Sequence, residues 1–233
     1  RHAAAAGRRV RAVGSGHSFT SIACSDDVLV SLEHLNMVRS IGRRSRLVTV
    51  QAGIELRHLN NRLAKVGLAM TNLGDIAYQS FAGAVSTGTH GTGLAFTGIA
   101  AQIRGMRVVT ATGEIVDCSA EQNPELFHVA RVGLGAFGII SEITIEVEPA
   151  FNLHAIEGPR PLIDVLDGWH EETTSNDHFE FFWIPGSDVA MTKTNQRTTD
   201  AVNRQSVPKH FVDKILGENV AFGAMVKVAK VRP

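Results

Sequence analysis

Hydrophobic positions recur along this chain with two periods, and glycines mark most of the places where one gives way to the other. Arg9 to Val13 is a strand-like run, Val28 to Leu32 is a short apolar run of strand length, and Leu47 to Gln51 alternates before stopping near Gly53. From Glu55 to Val66 the spacing changes: Leu56, Leu59, Leu63 and Val66 share one helical face, with Gly67 as the stop signal. Met106 to Thr110 and Glu114 to Cys118 bracket Ala111-Thr112-Gly113, which predicts a hairpin. Ser119 and Gln122 have capping-box spacing, Pro124 suits a first helical turn, and Gly133 ends that helix. Ile143, Ile145 and Val147 then alternate with Thr144, Glu146 and Glu148, an antiparallel-type strand closed by Pro149.

After Pro149 the character changes. Residues 151–233 hold most of the prolines, both tryptophans and the aromatic run from Phe179 to Trp183. Two domains are therefore expected, one over 1–150 and the beginning of another over 151–233. Lys193 to Lys209, basic and rich in Thr, Asn and Gln, reads as a mobile loop or a solvated surface. Ala3 to Ala6 followed by Gly7 reads as the end of a helix whose start lies upstream, so the chain is expected to be truncated at both ends.

Composition narrows the function classes. The 233 residues are 44% hydrophobic and 20% charged, an ordinary globular balance, and formal net charge is zero. No electrostatic case exists for nucleic acid or an anionic membrane as partner. Cys24 and Cys118 lie far apart without metal-type spacing, no histidine pair has ligand spacing, and no metal site is expected. No apolar run approaches the roughly 20 residues of a membrane span, and no signal peptide is evident. The expected location is cytoplasmic, with peripheral membrane association left open. Oligomeric state is not legible.

Chemistry concentrates in three glycine-rich segments. Gly14-Ser15-Gly16-His17-Ser18 directly follows the Arg9–Val13 run; glycines two apart permit a tight turn and close ligand approach, and the free amides of such a turn form a nest for phosphate oxygens. His17, inside that nest, has three possible uses: covalent anchor, acid/base or hydrogen-bond donor. In the second segment Gly83, Gly88, Gly91 and Gly93 interleave with Ser80, Ser86, Thr87, Thr89 and Thr92 around His90. So many small residues bury little apolar surface, and the segment is read as backbone laid along an extended ligand. His90 is either a ligand contact or a loop histidine bonded to a carbonyl, and His170 and His178 are read as surface residues. The third, Gly133-Leu134-Gly135-Ala136-Phe137-Gly138, matches G-x-G-x-x-G literally, but a helix enters and a strand leaves, the reverse of a Rossmann fingerprint. There is no nucleophile elbow to suggest a hydrolase.

Taken in order, V-G-S-G-H-S-F, S-F-A-G-A-V-S-T-G-T-H-G-T-G, V-T-A-T-G-E-I-V and G-L-G-A-F-G-I-I-S-E-I-T-I-E-V resemble the FAD-binding (PCMH-type) domain of the vanillyl-alcohol oxidase family. Within it the chain is most similar to the sugar-1,4-lactone oxidases and dehydrogenases and to the alditol oxidases. The resemblance covers roughly residues 1–150 and continues more weakly over His178 to Pro185. It implies an α+β fold, a two-lobed FAD domain of mixed parallel and antiparallel sheets followed by the start of a substrate-capping domain. It implies that Val13, Gly14, Ser15, Gly16 and Ser18 hold the FAD pyrophosphate, and that His17 is the residue many members join covalently to the flavin. Ser80, Gly83, Ser86, Thr87, Gly88, Thr89, His90 and Gly91 would line the isoalloxazine and pyrophosphate side, with Ser80 also facing substrate. Gly138, Ile139 and Ile140 would meet the adenosine end. The implied reaction is oxidation of a sugar lactone, or alternatively a polyol, by hydride transfer to flavin N5, with oxygen or another acceptor taking the electrons. The family's catalytic residues, an acidic residue and a His-Trp-Gly-Lys signature, lie late in its substrate domain. No such signature occurs here, so the catalytic residues are expected outside this chain.

Overall fold

The computed structural model describes residues 1–201. The chain groups into two compact units, Arg1–Thr198 and Thr199–Pro233, and every element named below lies in the first. α1 (His2–Ala5) leads to β1 (Val10–Val13) and, past a 3₁₀ turn at Ser21–Ala23, to β2 (Val28–Ser31). Then come β3 (Val38–Gly42), β4 (Leu47–Gln51), α2 (Leu56–Ala64), β5 (Leu68–Ala69) and α3 (Phe81–Ser86). A second 3₁₀ turn, Ile99–Gln102, precedes β6 (Ile103–Val109), β7 (Ile115–Ser119), α4 (Pro124–Arg131), β8 (Ile139–Glu146) and β9 (Glu148–Pro149). The remaining elements are β10 (Asn152–Pro161), α5 (Leu162–Asp167), α6 (Trp169–Ser175), β11 (His178–Trp183) and β12 (Val189–Thr198).

The fold is α+β. β1 and β2 pair in parallel with Val10 opposite Val28. The main sheet is antiparallel with strand order β3-β4-β8-β6-β7, so the last strand in sequence stands in the middle. β10, β12 and β11 form a separate antiparallel sheet in that order.

Alternation dictates which face of the main sheet is dry. Val48, Val50, Val108, Ile143 and Ile145 are fully buried on one side, where Leu59 and Leu63 of α2 and Phe81 of α3 meet them in one core. Each such side chain contributes about 1.5–3 kcal/mol by leaving water. The opposite face is polar: Thr49 and Thr144 share a hydrogen bond of 2.9 Å, and Arg107 bridges Asp117 and Glu142, each at 2.8 Å. Val165, Phe179 and Ala190 make a second, smaller core.

Four sequence expectations need correction. The small-residue stretch is not all extended backbone, because its middle is α3. Phe81, Ala84 and Val85 are fully buried there, and side chains this small let the helix sit directly on the sheet. Ser119 and Gln122 do not cap α4. Ser119 Oγ accepts from the Gln122 N–H at 3.1 Å, closing a turn that ends before Asn123, the left-handed residue preceding the helix. His178 is buried, not superficial: its ring stacks on Phe96 and its Nδ1 donates to the Thr92 carbonyl at 2.9 Å. Finally, Lys193 to Thr198 belong to β12, where Lys193 is half-buried between Asp75 and Glu180 at 2.7 and 3.0 Å. Burial pushes the Lys193 ammonium pKa down, and the two carboxylates more than offset this, leaving it above the ordinary lysine value. Positions 202–209 of that basic stretch lie outside the described residues.

Candidate functional site

The site begins where β1 ends. The Leu32 N–H donates to the Val13 carbonyl at 3.3 Å, so the parallel pairing holds the strand up to the glycine turn. A Cβ on Gly14 would lie 1.9 Å from Ser80 Oγ and 3.0 Å from Ser80 Cβ. Nothing larger than glycine passes there without displacing Ser80. Ser80 itself is fixed by its neighbours: it bridges to Glu55, and the next two N–H groups, of Phe81 and Ala82, donate to the Ile54 and Ala52 carbonyls at 2.8 and 2.7 Å. It precedes α3 without capping it. Ser80 is only 4% exposed, and its Oγ has no hydrogen-bond partner among the described residues.

A third segment completes the enclosure. α4 enters the turn at Gly133, β8 leaves it, and the Leu134 N–H donates to the Ser86 carbonyl at 3.2 Å, joining the turn to the end of α3. The resulting cavity measures about 430 Å³. Its wall brings together Val13, Gly14, Ser15, Gly16, His17, Ser18, Ser80, Gly83, Ser86, Thr87, Gly138, Ile139 and Ile140 from three separate stretches of sequence. None of the backbone N–H groups from Gly14 to Ser18 donates to another described residue. His17 is exposed on this wall.

Gly88, Thr89, His90 and Gly91 lie outside the wall. The backbone of His90 and Gly91 is packed against the segment around Leu73: a Cβ on Gly91 would lie 2.1 Å from the Leu73 carbonyl, and one on Gly74 3.0 Å from the His90 carbonyl. Thr89 Oγ1 accepts from Gln79 at 3.2 Å, and the His90 ring nitrogen Nδ1 donates to the Gly91 carbonyl at 2.9 Å. Two buried amides organise this part of the loop. Asn72 donates to the Thr92 and Thr97 carbonyls at 3.3 and 3.2 Å, and Gln102 donates to the Asn72 carbonyl at 2.9 Å.

The wall also contains residues that sequence reasoning passed over, among them Arg11, Cys24, Gln79 and Leu134. A signal existed for Arg11, the one formally charged residue from Val10 to Ser18. Cys24 is exposed; Cys118 is buried on the sheet, and burial raises its thiol pKa. Among the described residues no cluster of three metal-ligating side chains occurs, and no helix is long and apolar enough to cross a membrane.

Two protein families match separate parts of the chain. Residues 143–233 match the family described as D-arabinono-1,4-lactone oxidase. An L-gulono-1,4-lactone dehydrogenase from Mycobacterium tuberculosis is 42% identical over 96% of this chain and 50% of its own length. An L-gulonolactone oxidase from Scyliorhinus torazame is 36% identical over 85% of this chain and 45% of its own. The chain thus spans about half the length of these curated relatives. Among solved structures, a cholesterol oxidase from Brevibacterium sterolicum superposes with a TM-score of 0.78 at 16% identity, over 98% of this chain and 52% of that one, and so shares the fold. Residues 1–119, which carry the glycine turn and the Ser80 wall facing it, match the FAD binding domain family, and this chain belongs to that family.

Proposed function

We propose that this chain is the flavin-holding part of an FAD-dependent oxidoreductase that oxidises a sugar-1,4-lactone at a CH–OH group. The observation that carries the reading is the cavity. Its rim presents the unpartnered N–H groups of Gly14 to Ser18, and its wall holds a buried, unpartnered serine hydroxyl. A ligand rich in acceptor oxygens satisfies such groups, and the pyrophosphate and ribityl chain of FAD are of that kind.

In this reading Val13 delivers the turn, and Gly14, Ser15, Gly16 and Ser18 hold the pyrophosphate. Ser80, Gly83, Ser86 and Thr87 line the ring side, and Gly138, Ile139 and Ile140 receive the adenosine end. Glycine at position 14 keeps the backbone close enough to Ser80 for one ligand to touch both. FAD, when bound, supplies the two-electron acceptor for the substrate's CH–OH hydrogen. His17 is assigned as its covalent anchor through a ring nitrogen. Residues 1–150 form the cofactor half, and 151–233 begin the half that covers substrate; the separate small core of Val165, Phe179 and Ala190 supports that border. The substrate class is supported by the names of the relatives, which are divided between oxidase and dehydrogenase, so the electron acceptor is oxygen or another oxidant.

The test is direct. The chain and its His17→Ala variant are supplied with FAD, denatured and run on a gel viewed for flavin fluorescence. A fluorescent protein band in the parent and none in the variant is expected. A yellow parent that sheds free FAD on denaturation would overturn the covalent role of His17 but keep the cofactor. A folded parent that takes up no FAD would overturn the whole reading.

A further inference from the structure

Among the described residues that line the cavity, Arg11 alone carries a formal charge and none is a carboxylate. The contrast with other arginines is instructive. Arg8 is paired with Asp27 at 2.6 Å, Arg39 with Glu142 at 3.0 Å and Arg197 with Glu148 at 2.9 Å. Arg11 has no ion pair among the described residues. Its guanidinium donates once, from Nη1 to the Ile22 carbonyl at 2.9 Å. That bond ties the fork to the 3₁₀ turn Ser21–Ala23, and Ile22 is itself part of the cavity wall. The remaining N–H groups of the fork are without partners among the described residues, on the same wall as the free amides of Gly14 to Ser18.

Arg11 is solvent-exposed on this wall, and a cleft whose described lining carries one cation and no carboxylate attracts anions. We infer that Arg11 is an anchor for the phosphate oxygens of the ligand, and that it makes the cavity select phosphorylated flavins over riboflavin. The inference rests on the FAD reading above. Guanidinium suits the role because its planar fork donates two parallel hydrogen bonds to a phosphate and stays charged at every accessible pH. The backbone N–H groups of the glycine turn can donate to any oxygen-rich group, whereas Arg11 adds a requirement for charge.

The experiment is a titration of the chain, prepared free of flavin, with FAD and with riboflavin at low and raised salt, read by flavin fluorescence. Arg11→Gln keeps an N–H for the Ile22 carbonyl while removing the charge, and Arg11→Lys keeps the charge while removing the fork. For Arg11→Gln the FAD Kd is expected to rise about tenfold, with riboflavin unchanged and a flatter salt dependence than the parent. Arg11→Lys is expected to fall between the two. Equal weakening of both flavins would overturn the inference, since it marks damage to the wall. So would an unchanged FAD Kd, or a weaker one whose salt dependence matches the parent, the latter pointing to stacking on adenine. Should Arg11→Gln fail to fold by circular dichroism, Arg11→Lys reads the same FAD-to-riboflavin ratio. A folded parent that binds neither flavin refutes the FAD reading itself and is thereby distinguished.

Discussion

Replacing Ser80 by alanine should strengthen the empty chain and weaken the loaded one. Ser80 is 4% exposed and its Oγ has no partner, so the folded chain carries a desolvated hydroxyl with nothing in return. Such a group costs about 1–3 kcal/mol. Removing it gives back that amount, less a few tenths for the small gap left beside Gly14, and a net gain of about 1 kcal/mol is expected. For a chain of this size that corresponds to a rise in Tm of about 2–4 °C. With FAD bound the sign reverses, because the hydroxyl then has an oxygen-rich neighbour. Loss of one neutral hydrogen bond, about 0.5–1.5 kcal/mol, raises Kd by roughly threefold to tenfold. Thermal unfolding followed by circular dichroism reads the first effect, and a fluorescence titration with FAD reads the second. A lower Tm for flavin-free Ser80→Ala would refute the claim that the hydroxyl is an uncompensated cost. An unchanged FAD Kd would refute its assignment as a ligand contact. Gly14→Ala supplies an internal check: its Cβ would fall 1.9 Å from Ser80 Oγ, so it destabilises the parent more than it does Ser80→Ala, with a coupling of about 1 kcal/mol in a double-mutant cycle.

Three further outcomes are expected. Gly53→Ala, whose Cβ would lie 1.8 Å from the Leu32 carbonyl oxygen, meets backbone that cannot rotate away; a loss of about 3 kcal/mol or more is expected in urea unfolding. Arg197→Met removes a guanidinium held between the rings of Phe96 and Phe151, at 4.6 and 4.0 Å, and donating to the Thr71 carbonyl and to Glu148. It should cost about 2–3 kcal/mol and raise hydrogen exchange around Thr71, an unaltered exchange pattern counting against this tie. Lys193 gives a pH signature. Its folded pKa is raised, so its contribution is fully present below the unfolded value of about 10.4 and is lost as pH rises through the folded one. Melts of the parent and Lys193→Met should therefore differ by a constant amount from pH 8 to about 10 and converge above that, and a gap that widens with pH would contradict the assignment.

Local chemistry made much of the fold readable before the structure. Leu56, Leu59 and Leu63 lie three and four apart and are buried together, and Gly113 sits with positive φ at the end of the turn between β6 and β7. The literal G-x-G-x-x-G was correctly set aside, since α4 does enter it and β8 does leave it. What was not readable depended on distant partners. Nothing near Phe81 announces that it is a fully buried helix residue, because the surface covering it comes from strands far along the chain. His178 stands in an ordinary aromatic run, and only the arrival of Phe96 and the Thr92 carbonyl makes it a buried post. The cavity was half legible. The residues on its glycine turn were named from sequence, whereas Gly88 to Gly91 look the same on paper yet lie outside its wall, with Gly91 close to the Leu73 carbonyl.

The placement of β8 ties completion of the cavity to completion of the sheet. It is made last of the five strands and inserted in the middle, so β3-β4 and β6-β7 are two separate hairpins until residues 139–146 arrive. Insertion buries Ile143 and Ile145 and, in the same movement, carries Leu134 against Ser86, which closes the third wall of the cavity. A nascent chain paused before Ile139 holds two unsealed strand edges, open to pairing with other chains, and an incomplete cavity wall. The long-range pairing that seals those edges is the same step that completes the cavity wall. On the FAD reading, a chain able to hold its ligand there has already finished its sheet.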